Sequence, residues 1–186
     1  MSTKSGRPVT VNSTGSVAGP SDGETADDFV ASLFRAHGLA LFRVALLLIG
    51  DQASAEDVVQ DAFLGFHRAV PRLRDKDKAL AYLRASVVNG CRSVQRSRRR
   101  AWLRGVEHEP PVGSAESAVM AEEDRRAVLA AVARLPVRAR EVLALRYYLD
   151  LPHEEIGAIL GIRRSTVTST ISRALATLGR DLKEEL

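Results

Sequence analysis

Residues 153–173 read HEEIGAILGIRRSTVTSTISR, from His153 to Arg173, and this stretch decides the fold. Ile156, Ile159 and Leu160 share one face of a short helix. Gly157 is small where a second helix must cross closely, and Gly161 can take the left-handed conformation that a tight interhelical turn needs. Ile162 plugs the corner, Ser165 is placed to cap the second helix, and Val167 and Ile171 point inward one turn apart. The spacing predicts a helix-turn-helix. The outer face of its second helix would carry Arg164, Thr168, Ser169, Ser172 and Arg173, donors and acceptors sized for base edges and phosphates. An ordinary helical hairpin is the plainer alternative. It explains the turn glycine but not the small residue, the capping serine and the two inward aliphatics together.

Upstream of this unit the pattern stays helical. Val128, Ala131, Val132 and Leu135 form one amphipathic stripe, and Pro136 suits the first turn of the next helix. Residues 105–117 hold Pro110-Pro111 and two glycines without apolar periodicity, which reads as a linker. Before it, Leu80, Leu83, Val87, Cys91 and Val94 trace the buried stripe of a long helix. That helix ends in Arg92, Arg96, Arg98, Arg99, Arg100 and Arg104, more cations than a helix C-terminus requires. Its predecessor has two faces. Val59, Ala62, Phe63 and Phe66 point to the core, while Asp57, Gln60, Asp61 and Leu64 make an acidic stripe with one exposed apolar residue. That stripe reads either as a solvated face or as a docking surface. Ser54 is expected to cap this helix. Further back, Phe29, Leu33 and Phe34 are spaced for one helix face, Gly38 is a point where the chain can bend, and Leu39–Ile49 reads as a mostly buried helix. No segment shows sustained strict alternation, so the fold class is all-α: two small helical domains joined by a flexible linker. Residues 1–25, rich in Ser, Thr, Gly and Pro, read as a disordered tail.

Charge follows the same division. The 186 residues carry a net +4, but residues 29–104 sum to +8, 105–124 to −6 and 125–186 to +4. Two basic modules that meet a polyanion, separated by a stretch that avoids it, would produce this alternation. Arginine supplies 23 of the 27 basic residues, which suits bidentate phosphate and base contacts. A single cysteine forbids an internal disulfide, and four scattered histidines offer no zinc-ligand spacing. The longest apolar run, Leu39–Ile49, is broken by Arg43 and is too short to span a bilayer, and the N-terminus lacks the apolar core of a signal peptide. These features imply a reduced, cytoplasmic protein without membrane insertion, metal or cofactor. No nucleophile–base pair or phosphate-cradling glycine loop appears, so no enzyme is expected.

Four segments in order carry a family resemblance. They are Ala55-Glu56-Asp57-Val58-Val59-Gln60-Asp61-Ala62-Phe63; Ala81-Tyr82-Leu83-Arg84 through Val88-Asn89; Leu135-Pro136 through Val142-Leu143 with Tyr147-Tyr148; and the helix-turn-helix. Together they make the chain resemble an extracytoplasmic-function (group IV) sigma factor of bacterial RNA polymerase, in the sigma-70 family, most similar to the compact actinobacterial type. The resemblance implies a tail over 1–25, sigma region 2 over 26–104, a linker over 105–117 and sigma region 4 over 118–186. It implies core RNA polymerase and promoter DNA as partners, and an anti-sigma factor as regulator.

It also implies roles for residues. Asp57, Gln60, Asp61 and Leu64 match the helix that docks on the beta-prime clamp helices of the polymerase. Arg72, Arg74, Lys76 and Lys78 would lie near a pocket for an extruded base. Tyr82, Arg84, Asn89, Arg92 and Arg96 would line the −10 strand, combining a basic track with base contacts. Relatives often have Trp and another aromatic where this chain has Tyr82 and Arg84, so less stacking energy is available here. Arg163, Arg164, Ser165, Thr168, Ser169, Thr170 and Arg173 would read the −35 element in the major groove. Relatives often carry Arg or Lys at the positions of Thr168 and Thr170. Leu175 and Leu178 would either meet the beta flap or pack internally. The rival is a helix-turn-helix regulator that binds duplex DNA without being a polymerase subunit; it would need a ligand or dimerisation domain within 26–100.

Overall fold

In the computed structural model, residues 25–73, 75–104 and 119–184 are described. The expected tail, apart from Thr25, the expected linker and Arg74 lie outside the described residues. Seven α-helices follow in order: α1 Ala26–Ile49, α2 Gln52–Ala69, α3 Ala79–Leu103, α4 Val119–Arg134, α5 Val137–Tyr147, α6 His153–Leu160 and α7 Arg164–Glu184. Short 3-10 turns at Val70–Arg72 and Lys76–Lys78 join α2 to α3, and the described residues contain no strand.

Local chemistry sets the ends of the first helices. Thr25 and Asp28 form a reciprocal capping box, each side chain accepting from the other's backbone N–H, so two otherwise orphaned donors at the start of α1 are satisfied. At the far end Gly50 takes a left-handed φ of 77° and donates its N–H to the Leu46 carbonyl. Gly38 does not interrupt α1, which continues through it to Ile49, and the Phe34 ring lies against the space where a side chain would be. The cap of α2 is Asp51 rather than Ser54: the Ser54 N–H donates to the Asp51 carboxylate at 3.0 Å, and Ser54 sits inside the first turn. Asp51 outcompetes it because its extended backbone lies immediately after the Gly50 turn.

Helices α1 to α3 enclose one core, built from Phe29, Leu33, Leu41, Val44 and Leu48 of α1, Phe63 and Phe66 of α2, and Leu83, Val87 and Cys91 of α3. At the α2–α3 crossing a Cβ on Gly90 would come within 2.7 Å of Val58, so these helices approach closely only because Gly90 is bare. Phe34 and Leu39 are not core residues. They are exposed on α1, with Phe34 edge-on to Phe63 at 5.0 Å. The apolar set on α1 is broader than the stripe its neighbours can cover. By length and composition alone α1 could cross a membrane. Its burial against α2 and α3 is that of the core helix of a bundle.

Helices α5 to α7 enclose a second core of Val142, Leu145, Leu151, Ile156, Leu160, Val167 and Ile171. A smaller cluster of Leu135, Ala139, Leu143 and Ala174, with Leu178 against it, ties α4 and α5 to α7. Leu178 therefore packs internally, while Leu175 is exposed. Val128 is exposed rather than part of the α4 stripe, and Pro136 caps α5 from outside instead of occupying its first turn. The two cores meet. Val88 of α3 is 1% exposed and belongs to the second cluster, while Ala144 of α5 belongs to the first. Burying Val88 in this seam contributes on the order of 1.5 kcal/mol.

Candidate nucleic-acid interface

The helix-turn-helix consists of α6, a turn at Gly161 and α7. Gly161 has φ 67° and ψ 37°, and its N–H returns to the Gly157 carbonyl, which also accepts from Ile162 at 2.9 Å. Gly157 is buried, and a Cβ there would meet the Ile162 carbonyl oxygen at 2.7 Å. The turn is thus tight at both glycines for different reasons: one needs its dihedral and the other its missing side chain. Ser165 is not the cap of α7, because the helix already begins at Arg164.

The outer face of α7 is polar and pre-ordered. Arg163, Arg164, Ser165, Thr168, Ser169 and Arg173 are exposed and Thr170 is half-buried. Thr168 Oγ1 donates to the Arg164 carbonyl, and Ser169 and Ser172 donate to the Thr166 and Thr168 carbonyls. These hydroxyl protons are spent on the helix itself, leaving oxygen lone pairs and the threonine methyl for a partner. Arg173 folds back on Ser169 through its carbonyl and hydroxyl. Glu154 of α6 holds Arg164 at 2.8 Å, and Nδ1 of His153 lies 3.0 Å from Thr168 Oγ1. Two guanidinium groups at the start of α7 oppose the helix dipole, and an incoming anion would relieve that.

Helix α3 sorts its polar residues onto two faces. Tyr82, Asn89 and Arg96, seven residues apart, are exposed together, and Tyr82 also packs on Phe66 with ring centroids 5.7 Å apart. A groove of about 500 Å³ beside them is lined by Asp61, Ser86, Asn89 and Ser93 among others. Arg84 and Arg92 lie on the other face, against α5 and α6. The Arg84 side chain is 13% exposed and donates to Glu155 at 3.0 Å, while its Nε has no partner. Burial pushes its guanidinium below the ordinary value, with Glu155 opposing. Arg92 grips both oxygens of Glu141 at 2.5 and 2.9 Å, and hydrogen bonding to that carboxylate raises its pKa. Arg98 is structural too: it donates to the Ile49 carbonyl, Asp51 and Ser54, stapling the α1–α2 corner. Of the six arginines that made this helix look basic, Arg96, Arg99, Arg100 and Arg104 remain exposed. Arg72 and Lys78 are exposed on the turns before α3, with Lys78 paired to Asp75 at 2.9 Å, and Lys76 lies in the second turn.

On α2, Asp57, Gln60, Asp61 and Leu64 form one exposed stripe, with Leu64 54% exposed. Beside it runs an apolar groove of about 340 Å³ lined by Phe34, Leu39, Phe42 and Gln60 among others. Cys91 is buried, and burial pushes its thiol up to about 12, so it offers no thiolate near neutrality. Among the described residues, no group of three or more His, Cys, Asp or Glu side chains is placed to hold a metal.

Sequence reading missed Glu141, His153, Glu154 and Glu155 as partners of the nominated basic and hydroxyl residues, and Phe34 and Leu39 as surface residues. Glu154 could have been suspected from its place opposite Arg163-Arg164 across a short turn, whereas Glu155 pairs with Arg84, 71 residues away. Glu141 had no local signal, because its partner on α3 lies 49 residues away.

Residues 33–101 match the family model of sigma-70 region 2, and residues 125–178 match that of sigma-70 region 4. The chain is 31% identical over 147 residues to the "Probable RNA polymerase sigma factor RfaY" of Xanthomonas campestris; this covers 75% of the chain but only 36% of that relative. It is 32% identical over 171 residues to the "ECF RNA polymerase sigma factor SigL" of Mycobacterium tuberculosis, covering 90% of the chain and 96% of the relative. Among solved structures, the sigma factor RpoE in complex with the anti-sigma factor NepR from Bartonella quintana superimposes with a TM-score of 0.73. That match has 25% identity and covers 84% of this chain and 98% of that one.

Proposed function

Because the chain belongs to the sigma-70 family, as an RNA polymerase sigma factor of the extracytoplasmic-function group built from regions 2 and 4, we propose that it directs core polymerase to its promoters in three divided tasks. The α2 stripe of Asp57, Gln60, Asp61 and Leu64 docks on the beta-prime clamp helices. The exposed α3 residues Tyr82, Asn89 and Arg96, with the Arg72–Lys78 turns, engage the −10 strand and assist melting. Arg163, Arg164, Ser165, Thr168, Ser169, Thr170 and Arg173 read the −35 element. Core polymerase, promoter DNA and an anti-sigma factor are its partners, and it acts in the cytoplasm as a non-catalytic subunit.

The observation that carries this reading is the pairing of two unlike surfaces on one chain. An acidic, partly apolar stripe on α2 suits a protein partner, and a cationic and hydroxyl-rich α7 suits DNA. A regulator that binds duplex DNA alone explains the second surface but not the first. Its missing ligand or dimerisation domain would also have to occupy residues that match region 2. In this reading sigma region 2 spans 26–104, the linker 105–117 and sigma region 4 118–186; the family models match residues 33–101 and 125–178.

The test is reconstitution. The purified chain added to core polymerase should give promoter-specific run-off transcripts from a template mapped by induced expression. Tight dimeric binding to duplex DNA with no run-off product would sink the reading.

A further inference from the structure

We propose that the last turn of α3 is a further nucleic-acid contact, in which the indole of Trp102 stacks on an unpaired base while Arg99 and Arg100 hold the phosphates beside it. The inference rests on reading α3 as a nucleic-acid track, and it lengthens that track by a site beyond the −10 residues named above. Gly90, Ser93, Arg96, Arg99 and Trp102 stand three residues apart, which makes them one oblique row on the helix surface. Gly90 and Ser93 line the groove between α2 and α3. Trp102 ends the row about 18 Å further along the helix axis. A strand leaving the groove along this row meets Arg96, then Arg99, then the indole.

The fold makes no use of Trp102. Gln95 and Arg98 fasten α3 to the end of α1 by donating to the Leu48 and Ile49 carbonyls. Trp102, one turn further on, joins none of the core clusters of the described residues and is 72% exposed, with Leu103 66% exposed beside it. Its ring is a free stacking surface. Charge selects the occupant. Helix α3 contains no Asp or Glu, and among the described residues nothing pairs with the side chains of Arg96, Arg99, Arg100 or Arg104. Unpaired guanidinium groups within a turn of an indole suit a nucleotide, whose phosphate takes the cation and whose base takes the ring. Two exposed apolar residues at one helix end are too few for a membrane-bound face, which needs an apolar stripe along the helix.

Trp102 is the only tryptophan in the 186 residues, so its emission reads this site alone in the full chain. Oligothymidylate should quench that emission in step with the anisotropy rise of a fluorescein-labelled oligothymidylate. An abasic oligomer of the same length keeps the phosphates and should leave the emission unchanged. Trp102→Ala should weaken oligothymidylate binding roughly five- to a hundredfold, and Trp102→Phe, which keeps a π-face, should weaken it less. Replacing Arg99 and Arg100 together by alanine should flatten the salt slope by about 1.4. Circular dichroism verifies that each variant remains helical. Absence of quenching, whether or not the anisotropy rises, overturns the stacking site, as does equal quenching by the abasic oligomer; run-off transcription that persists in either case leaves the promoter reading standing. Emission already shielded from acrylamide in the free chain would mean that the chain itself covers the ring, and overturns the proposal. A blue shift on phosphatidylglycerol vesicles without quenching by oligothymidylate would give the patch to a lipid surface and overturns it too. Quenching with no run-off product would instead fail the promoter reading and leave this site in place.

Discussion

Arg92 on α3 holds Glu141 on α5 through two charge-assisted hydrogen bonds, at 2.5 and 2.9 Å, although 49 residues separate them in the chain. Glu141 is the buried charged residue of the described core, so the pair fixes how region 4 sits on region 2. Arg92→Ala strips Glu141 of both of these bonds, leaving the Arg138 hydrogen bond, and should cost about 2 kcal/mol. For a chain of this size that lowers the thermal midpoint by roughly 4–8 °C, readable by circular dichroism. An unchanged midpoint would mean that Glu141 is satisfied without Arg92.

Gly157→Ala should damage the helix-turn-helix despite the better helix propensity of alanine. The new methyl would press on the Ile162 carbonyl oxygen, a backbone atom of the turn that cannot rotate away as a side chain could. Overpacking of this kind costs about 1–3 kcal/mol, more than the propensity gain of about 1 kcal/mol. Loss of duplex binding to −35 DNA together with a lower melting temperature is the expected result. A more stable protein would show that the α6–α7 crossing has slack.

Asp61→Arg places a cation in the middle of the α2 stripe, at an exposed site where the fold has no stake. It should abolish association with core polymerase while leaving the melting curve in place. Normal co-purification with the polymerase would remove α2 as the docking face.

His37 gives the fold a pH dependence. Burial, and secondarily the neighbouring Arg84, hold its imidazole below the ordinary value of 6.5. The unfolded chain therefore binds this proton more readily than the folded one. The stability linked to His37 is complete above about pH 6.5 and is lost as pH falls through the lowered value. Thermal midpoints should drop between about pH 7 and about pH 5.5, and His37→Gln should flatten that drop. An equally steep fall in the variant would assign it to other groups.

What could be read from the sequence was what repeats locally. The inward aliphatics of α6 and α7, the left-handed Gly161 and the two faces of α2 all follow from residues within a few turns of one another. Ser54 and Asp51 illustrate the limit. Both are competent caps three residues apart, and Asp51 takes the role while also receiving Arg98 from 47 residues away. The Arg84–Glu155 pair, 71 residues apart, leaves no periodic trace at all. Arg84 and Arg92 could be recognised as basic residues on the right helix. That their charge was already matched inside the molecule depended on a seam formed only when the two bundles pack.

That matching changes what the basic end of α3 can do thermodynamically. Each phosphate contact releases condensed counterions, and for a single strand log affinity falls by about 0.7 per contact for each unit of log salt. Arg98 is bound to the α1–α2 corner, and Arg92 is held by Glu141. The arginines left to displace ions are Arg96, Arg99, Arg100 and Arg104, which corresponds to a slope of about −3 rather than the −4 that six would give. A third of the helix's apparent appetite for polyanion is thereby converted into mechanical cohesion of the protein.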